Sequence, residues 1–399
     1  MSRPLSGALG AVLKWERVVA LECGRLKITW AALAGIVLLA LFSSHIPSDG
    51  TGLGRLRVTL RFVEAASTFT ALGLVVVLGA YFFPYEEMQN RRILITGVLP
   101  AERWAILAGT AIGIFRTAAI LLAAGVCVLA VKVYATESGE LLRHVAGRKN
   151  YPAQNIVYKG EIYSEGAVSM APGEEMEVRY RRRGKRGAAL RITPYAGARH
   201  SVRMAVGAAG MPDEPPGGAL VVMGQAVERL IGPDGPEDVT LVVRNLSDIR
   251  ISVPLSEAAI VEETVPLWAN MLRVLALRWI MLLYISLATV GVSAFLGMIP
   301  ALVVSISVAA GGYLAPFVSA LFRLPRFEEG YAETKASYDL VRVVGRVFGD
   351  LVTTGPGESL PMGEFVDGAR IVSAMSLLIN GGVIFAIGCW ALSRRELGK

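Results

Sequence analysis

The chain has 399 residues, of which 53% are hydrophobic and only 18% charged, with a net charge of +7. Soluble globular proteins are about 45–50% apolar and about 25% charged, so this composition indicates lipid as the solvent for much of the chain. The surplus of Lys and Arg then belongs beside cytoplasmic headgroups, which excludes nucleic acid as a partner. Cys23, Cys127 and Cys389 share no metal-ligand spacing, so neither a disulfide framework nor a zinc site is expected.

In residues 6–27, Leu9, Val12, Leu13, Val19 and Ala20 recur at helical spacing, with Lys14, Glu16 and Arg17 between them. This pattern predicts either an amphipathic helix on the membrane surface or the polar start of the first span. The N-terminus is not expected to be a cleavable signal peptide, because its charged region is too long and bulky Phe42 follows Leu41 where small residues would be needed. Spans are predicted at about 28–43, 63–83 and 105–131. Gly50, Gly52 and Gly54 lie in the first loop, and the charged stretch PYEEMQNRRILITGVLPAERW (84–104) lies in the second.

Residues 132–266 change character. EMEVRY, ALRITPY, VTLVVRN and IRISVP alternate with period two between Gly-, Pro- and Asp-rich turns, which predicts short antiparallel strands and an inserted all-β, sandwich-like extracytoplasmic domain. Asn245-Leu246-Ser247 matches a glycosylation acceptor.

In the C-terminal half, 267–399, no charged residue occurs from Trp279 to Phe322. Gly297 and Pro300 divide this run into spans at about 279–296 and 299–322. An interfacial helix is predicted at about 337–352 from the face Leu340, Val344, Val347 and Leu351. A last span follows at about 371–392. The fold class expected is an α-helical polytopic membrane protein of about six spans. Basic residues in the N-terminal tail, in 84–104 and in the C-terminal tail place both termini in the cytoplasm of a cell with this chain in its inner membrane. Arg55, Arg57 and Arg61 would then lie outside.

Chemistry-bearing residues are sparse. His45, His144 and His200 stand in no ligand or nucleophile motif. Gly184-Lys185 lacks the upstream glycine spacing of a phosphate loop. No catalytic, cofactor-binding or metal-ligating residue is therefore expected. Arg116 stands within an apolar stretch. It is either an intramembrane functional charge or, if the third span begins at 117, a side chain snorkelling to the headgroups. Gly311, Gly312 and Pro316, with Asn380 in the last span, mark weak points in helices, serving close packing or a hinge in a transport pathway. Arg181, Arg182, Arg183, Lys185 and Arg186, with Arg179, form a basic run. It is either a solvated hairpin tip or a patch for an anionic partner, lipid or polysaccharide.

The segment YEEMQNRRILITGVLPAERWAILAGTAIG (85–113) resembles the loop between the second and third spans of type 2 ATP-binding-cassette transporter permeases. The matching features are an acidic residue (Glu86 or Glu87), the stretch Ile93 to Leu99, a turn at Pro100 with Arg103, and Gly109 with Gly113. Asn90-Arg91-Arg92 departs from the Gly-Thr or Arg-Thr pair usual there. The 6–27 helix, the 279–322 hairpin and the closing SRREL are similar to the family's ordering, while 132–266 lies outside its common core.

The resemblance implies a permease subunit of an exporter, without its own ATPase motif, driven by a separate ATP-binding-cassette ATPase subunit that holds the ATP. Glu86, Glu87, Arg91, Arg92, Pro100 and Arg103 would couple to that ATPase. A second permease copy or a sister permease, membrane lipid and an extracytoplasmic partner are the further partners expected. The first rival reading is a polytopic scaffold or sensor that binds through its outer β-domain. The second is a membrane-embedded enzyme, which would need polar residues converging within the spans.

Overall fold

A computed structural model describes residues 5–46, 52–82, 103–152, 155–159, 161–163, 167–181, 188–192, 195–196, 202–208, 219–221, 227–231, 238–246, 248, 250–254, 258–321, 360 and 365–394. The stretch 84–102, which holds Glu86, Glu87, Arg91, Arg92 and Pro100, lies outside these residues. So do 337–352 and the side chains of Arg181, Gly311, Gly312 and Pro316, and all of Arg182, Arg183, Lys185 and Arg186. The chain divides into two compact units. One is made of Met1–Leu142, Trp268–Met362 and Val366–Lys399, and the other of Arg143–Leu267 with Gly363–Phe365.

The first unit is helical. Its helices are α1 (Leu5–Arg25), α2 (Lys27–Phe42), α3 (Gly52–Tyr81), α4 (Arg103–Thr136), α5 (Gly139–His144), α6 (Leu267–Ser293), α7 (Met298–Leu321), α8 (Gly368–Ala374) and α9 (Ser376–Arg394). Among the described residues four stretches are long and apolar enough to cross a membrane: Gly54–Tyr81, Arg103–Thr136, Leu267–Ser293 and Gly368–Arg394. The pair α1–α2, bent by 65°, would make a fifth. Six spans were expected from the sequence; the described residues support four to five. The difference lies in α1–α2, which is one bent pair, and in α7, whose described apolar part is the short Met298–Ala310.

The exposed face of α8 and α9 is apolar. Val372, Ile379, Val383, Ile387 and Trp390 are all exposed along α8 and α9. A water-facing helix would carry polar groups there, so this surface suits a hydrocarbon solvent.

The helices that carry the second and fourth expected spans begin before those spans do. The helix expected from residue 63 begins at Gly52, and the one expected from 279 begins at Leu267. Both carry Arg or Glu in their first half, and those charges read as loop until their partners are known.

The α1–α2 bend falls at Leu26, whose backbone is extended (φ −68°, ψ 132°). The end carbonyls of α1 are taken up by side chains of α2. Thr29 Oγ1 donates to Cys23 O at 2.7 Å, and Trp30 Nε1 donates to Gly24 O at 3.0 Å. Carbonyls orphaned in an apolar surrounding are costly, so this pairing fixes the elbow. At the other end of α2, Lys132 of α4 donates to Ala40 O at 2.5 Å and to Ser43 Oγ at 2.6 Å. A cation at a helix C-terminus meets the negative end of the macrodipole.

Glycines let the long helices approach closely. A Cβ on Gly79 would stand 2.6 Å from Thr289 Cγ2 of α6. One on Gly291 of α6 would stand 2.8 Å from the Phe385 Cα of α9. Small residues at crossings are the usual way for helices in lipid to gain packing.

The second unit holds thirteen strands: β1 (Gly147–Pro152), β2 (Asn155–Tyr158), β3 (Glu161–Tyr163), β4 (Ala167–Met170), β5 (Glu175–Arg181), β6 (Ala188–Ile192), β7 (Tyr195–Ala196), β8 (Val202–Ala208), β9 (Ala219–Val221), β10 (Val227–Ile231), β11 (Asp238–Asn245), β12 (Ile251–Pro254) and β13 (Ala258–Val265). They form antiparallel sheets in the orders β1-β13-β6-β10, β3-β2-β5-β11-β8-β9 and β4-β12-β7. The all-β sandwich expected over 132–266 is corrected in two respects. Residues up to Thr136 and Gly139–His144 are helical, and the strands make three small sheets.

Period-two alternation does place the core residues. Val168 and Met170, Met176 and Val178, and Ile251 and Val253 are buried pairs on their strands. Gly173, at φ 78°, turns the chain between β4 and β5. The carboxylate of Glu174 locks this turn, accepting from the Ala171 N–H at 2.6 Å and from the Tyr158 hydroxyl, with Lys159 Nζ at 2.6 Å. These partners hold its carboxyl down at about 2. Asn245 is buried and donates to Met170 O at 3.2 Å, so the glycosylation acceptor read there is a packing residue.

Candidate functional site

Two charge pairs stand out within the helical unit. The first joins α3 and α6. Arg278 donates to Glu64 Oε1 at 2.5 Å, with side chains 4% and 6% exposed. Glu64 is far inside α3 and Arg278 far inside α6, so both are intramembrane ionisable groups if these helices span a bilayer. Around them lie Ser67, Thr68, Gly125, Met271 and Leu360, enclosing a cavity of about 20 Å³. Glu64 Oε2 and Thr68 Oγ1 are buried without a hydrogen-bond partner among the described residues. The cavity has room for about one water molecule, which those two oxygens would receive.

A pair of this kind can link two helices, and it holds only while both charges remain. Removing one partner leaves an uncompensated charge in a low-dielectric surround.

Sequence reasoning missed this pair. In the sequence Arg116 is the one charge inside an apolar stretch, because spans expected from Val63 and from Trp279 leave Glu64 and Arg278 at their edges. The basic run Arg55, Arg57 and Arg61 on α3 masked the helix start. A signal was present: with Glu64 on a helix, Leu56, Leu60, Val63 and Ser67 make its buried face.

The second pair joins α1 and α4. Arg116 NH1 donates to Glu16 Oε1 at 2.8 Å; Glu16 is buried and Arg116 half exposed. Arg116 therefore does not stand alone; it is paired, and it lies within one continuous helix, Arg103–Thr136. Trp15 Nε1 donates to Thr110 Oγ1 at 3.1 Å. A Cβ on Gly109 would come within 2.7 Å of Trp15 Cβ and 2.9 Å of Val12 O; one on Gly113 within 2.8 Å of Val19 Cβ. Gly109 and Gly113 thus form the flat track on which α1 lies. Arg17, Leu21, Trp30, Leu33, Arg116 and Ile120 line a cavity of about 660 Å³ between α1, α2 and α4.

The remaining described site residues fall separately. Arg103, the first residue of α4, donates to Leu392 O at 3.2 Å and Ser393 O at 3.5 Å at the end of α9. Asn380 is half-buried on α9, beside Gly381, which packs on Tyr284. Among the described residues no group of three His, Cys, Asp or Glu side chains could hold a metal ion.

No family model matches the chain, and no curated protein matches it. One solved structure is a family GH115 4-O-methyl-alpha-glucuronidase with specificity for decorated arabinogalactans. It aligns with 53% of this chain and 41% of its own length, at 12% identity and a TM-score of 0.22. So low a score carries no inference about fold or activity.

Proposed function

We propose that the chain is the membrane-spanning permease subunit of an ATP-binding-cassette exporter, driven by a separate ATPase subunit through 84–104. The observation that supports this reading best is the docking of α1 on α4. The 84–104 segment leads directly into α4, and the stretch of α4 that follows carries α1 on Gly109, Thr110, Gly113 and Arg116. Arg103 ties the same helix start to the end of α9. A displacement delivered at 84–104 would move α1, α4 and the end of α9 together. The Glu64–Arg278 pair would pass it from α3 to α6. In this reading Glu86, Glu87, Arg91 and Arg92 meet the ATPase. The chain sits in the inner membrane with both termini cytoplasmic and the strand-bearing unit outside, and a second copy or sister permease completes the pathway.

The strand-bearing unit favours a second reading, a scaffold or sensor that binds a partner through Arg143–Leu267. Purification of the detergent-solubilised protein from its native membrane separates the two. The wild type is compared with an Arg91→Glu/Arg92→Glu variant that leaves Arg103 in place on α9. Co-purification of a cytoplasmic ATPase with the wild type, lost in the folded variant, is expected for the permease. Absence of any ATPase from the wild type would leave the scaffold reading in its place.

A further inference from the structure

The cavity between α1, α2 and α4 combines two chemistries. Its walls include Leu21, Leu33, Ile120, Leu121 and Ala124, and two guanidinium side chains, Arg17 and Arg116, also line it. Arg116 already gives one N–H to Glu16, while Arg17 is exposed and has no carboxylate partner among the described residues. Two cations against one buried carboxylate leave one positive charge in excess at an apolar groove. At about 660 Å³ the space matches that of ordinary ligand sites, roughly 300–1,000 Å³. Trp30 lies on the same wall, and its indole N–H is engaged by Gly24 O, so its ring is held in place. Indole rings favour headgroup level in bilayers.

We propose that this cavity seats an anionic glycerophospholipid of the surrounding bilayer. Its phosphate lies between Arg17 and Arg116, and one acyl chain runs along Leu21, Leu33 and Ile120. Guanidinium groups bind phosphate oxygens through paired charge-assisted hydrogen bonds, and the apolar wall replaces neighbouring lipid. A neutral zwitterionic headgroup carries its own cation and gains less from the excess charge. The proposal requires a membrane-embedded chain, and it stands whether or not the permease reading does.

The test uses the full chain in bilayers, with Trp30 as the reporter. Its emission is isolated as the difference between wild type and Trp30→Phe. Brominated phosphatidylglycerol is titrated into unlabelled phosphatidylcholine, and brominated phosphatidylcholine into unlabelled phosphatidylglycerol. Preferential quenching by phosphatidylglycerol of about fivefold is expected, the factor for one basic side chain near a headgroup. It falls to parity in Arg17→Gln, an exposed substitution, and is retained in Arg17→Lys. Equal quenching by both lipids in the wild type overturns the proposal, and so does a preference that survives Arg17→Gln.

Discussion

Glu16 and Arg116 meet at 2.8 Å although they are 100 residues apart in sequence, and the contact joins an acid of α1 to an arginine of α4. The buried partner sets the consequence. Arg116→Glu leaves two carboxylates facing each other and lowers stability by about 1–3 kcal/mol, less than a fully buried pair would lose because Arg116 is half exposed. Adding Glu16→Arg restores most of the loss. Thermal unfolding of the detergent-solubilised single and double variants measures it, and a double variant no better than the single would refute the pairing.

Gly109→Leu pushes a side chain into Trp15 Cβ and the backbone carbonyl of Val12. Backbone cannot yield as a side-chain tip can, so a loss of about 3 kcal/mol, the upper end for overpacking, is expected. The loss should concentrate in α1. Amides of Leu5–Arg25 should exchange faster with solvent while those of α6 keep their rates.

For Glu64 and Arg278 a double-mutant cycle is informative. Glu64→Leu or Arg278→Met alone strands one buried charge and costs about 3–5 kcal/mol, whereas the pair of substitutions together costs far less. Strictly additive losses would mean that the two side chains do not depend on one another.

The strand-bearing unit has its own pH signature. Glu174 is held at about 2, below its ordinary 4.5, first by Lys159, then by Tyr158 and the Ala171 N–H. A depressed carboxyl binds fewer protons in the folded than in the unfolded state, so its contribution is fully present above about 4.5 and is lost as pH falls towards about 2. Near-ultraviolet circular dichroism during acid titration should show this loss in the wild type. Glu174→Gln should flatten the response between these values.

Helix positions were legible because apolar runs are continuous and punctuated. The apolar run at 28–43 is the helix Lys27–Phe42, and the one at 299–322 begins at Met298, just after Gly297 and with Pro300 in its first turn, although neither is long and apolar enough to cross a membrane by itself among the described residues. What failed was the treatment of charge. Arg55, Arg57 and Arg61 were read as a loop, yet they ride on the first turns of α3. Glu64 looked like a border residue because its partner lies 214 positions away. A hydropathy window penalises both members of such a pair and cannot see that they neutralise each other. Gly109 and Gly113 were visible as a motif and the helix over 6–27 as a pattern, but nothing local showed that the one lies on the other. The strand positions followed from alternation, but β1 and β13, which pair at opposite ends of the insert, carry no local sign of each other.

Lys132 grips the far end of α2 through Ala40 and Ser43, while Glu16 grips Arg116 from α1. The bent pair is therefore fastened to one rod at two points, about 24 Å apart along its axis at 1.5 Å per residue. Opening the 65° elbow at Leu26 would require one fastening to slip. Leu5–Phe42 thus behaves as a bracket of fixed angle, and its amides should open to solvent together with the middle of α4 as one cooperative block.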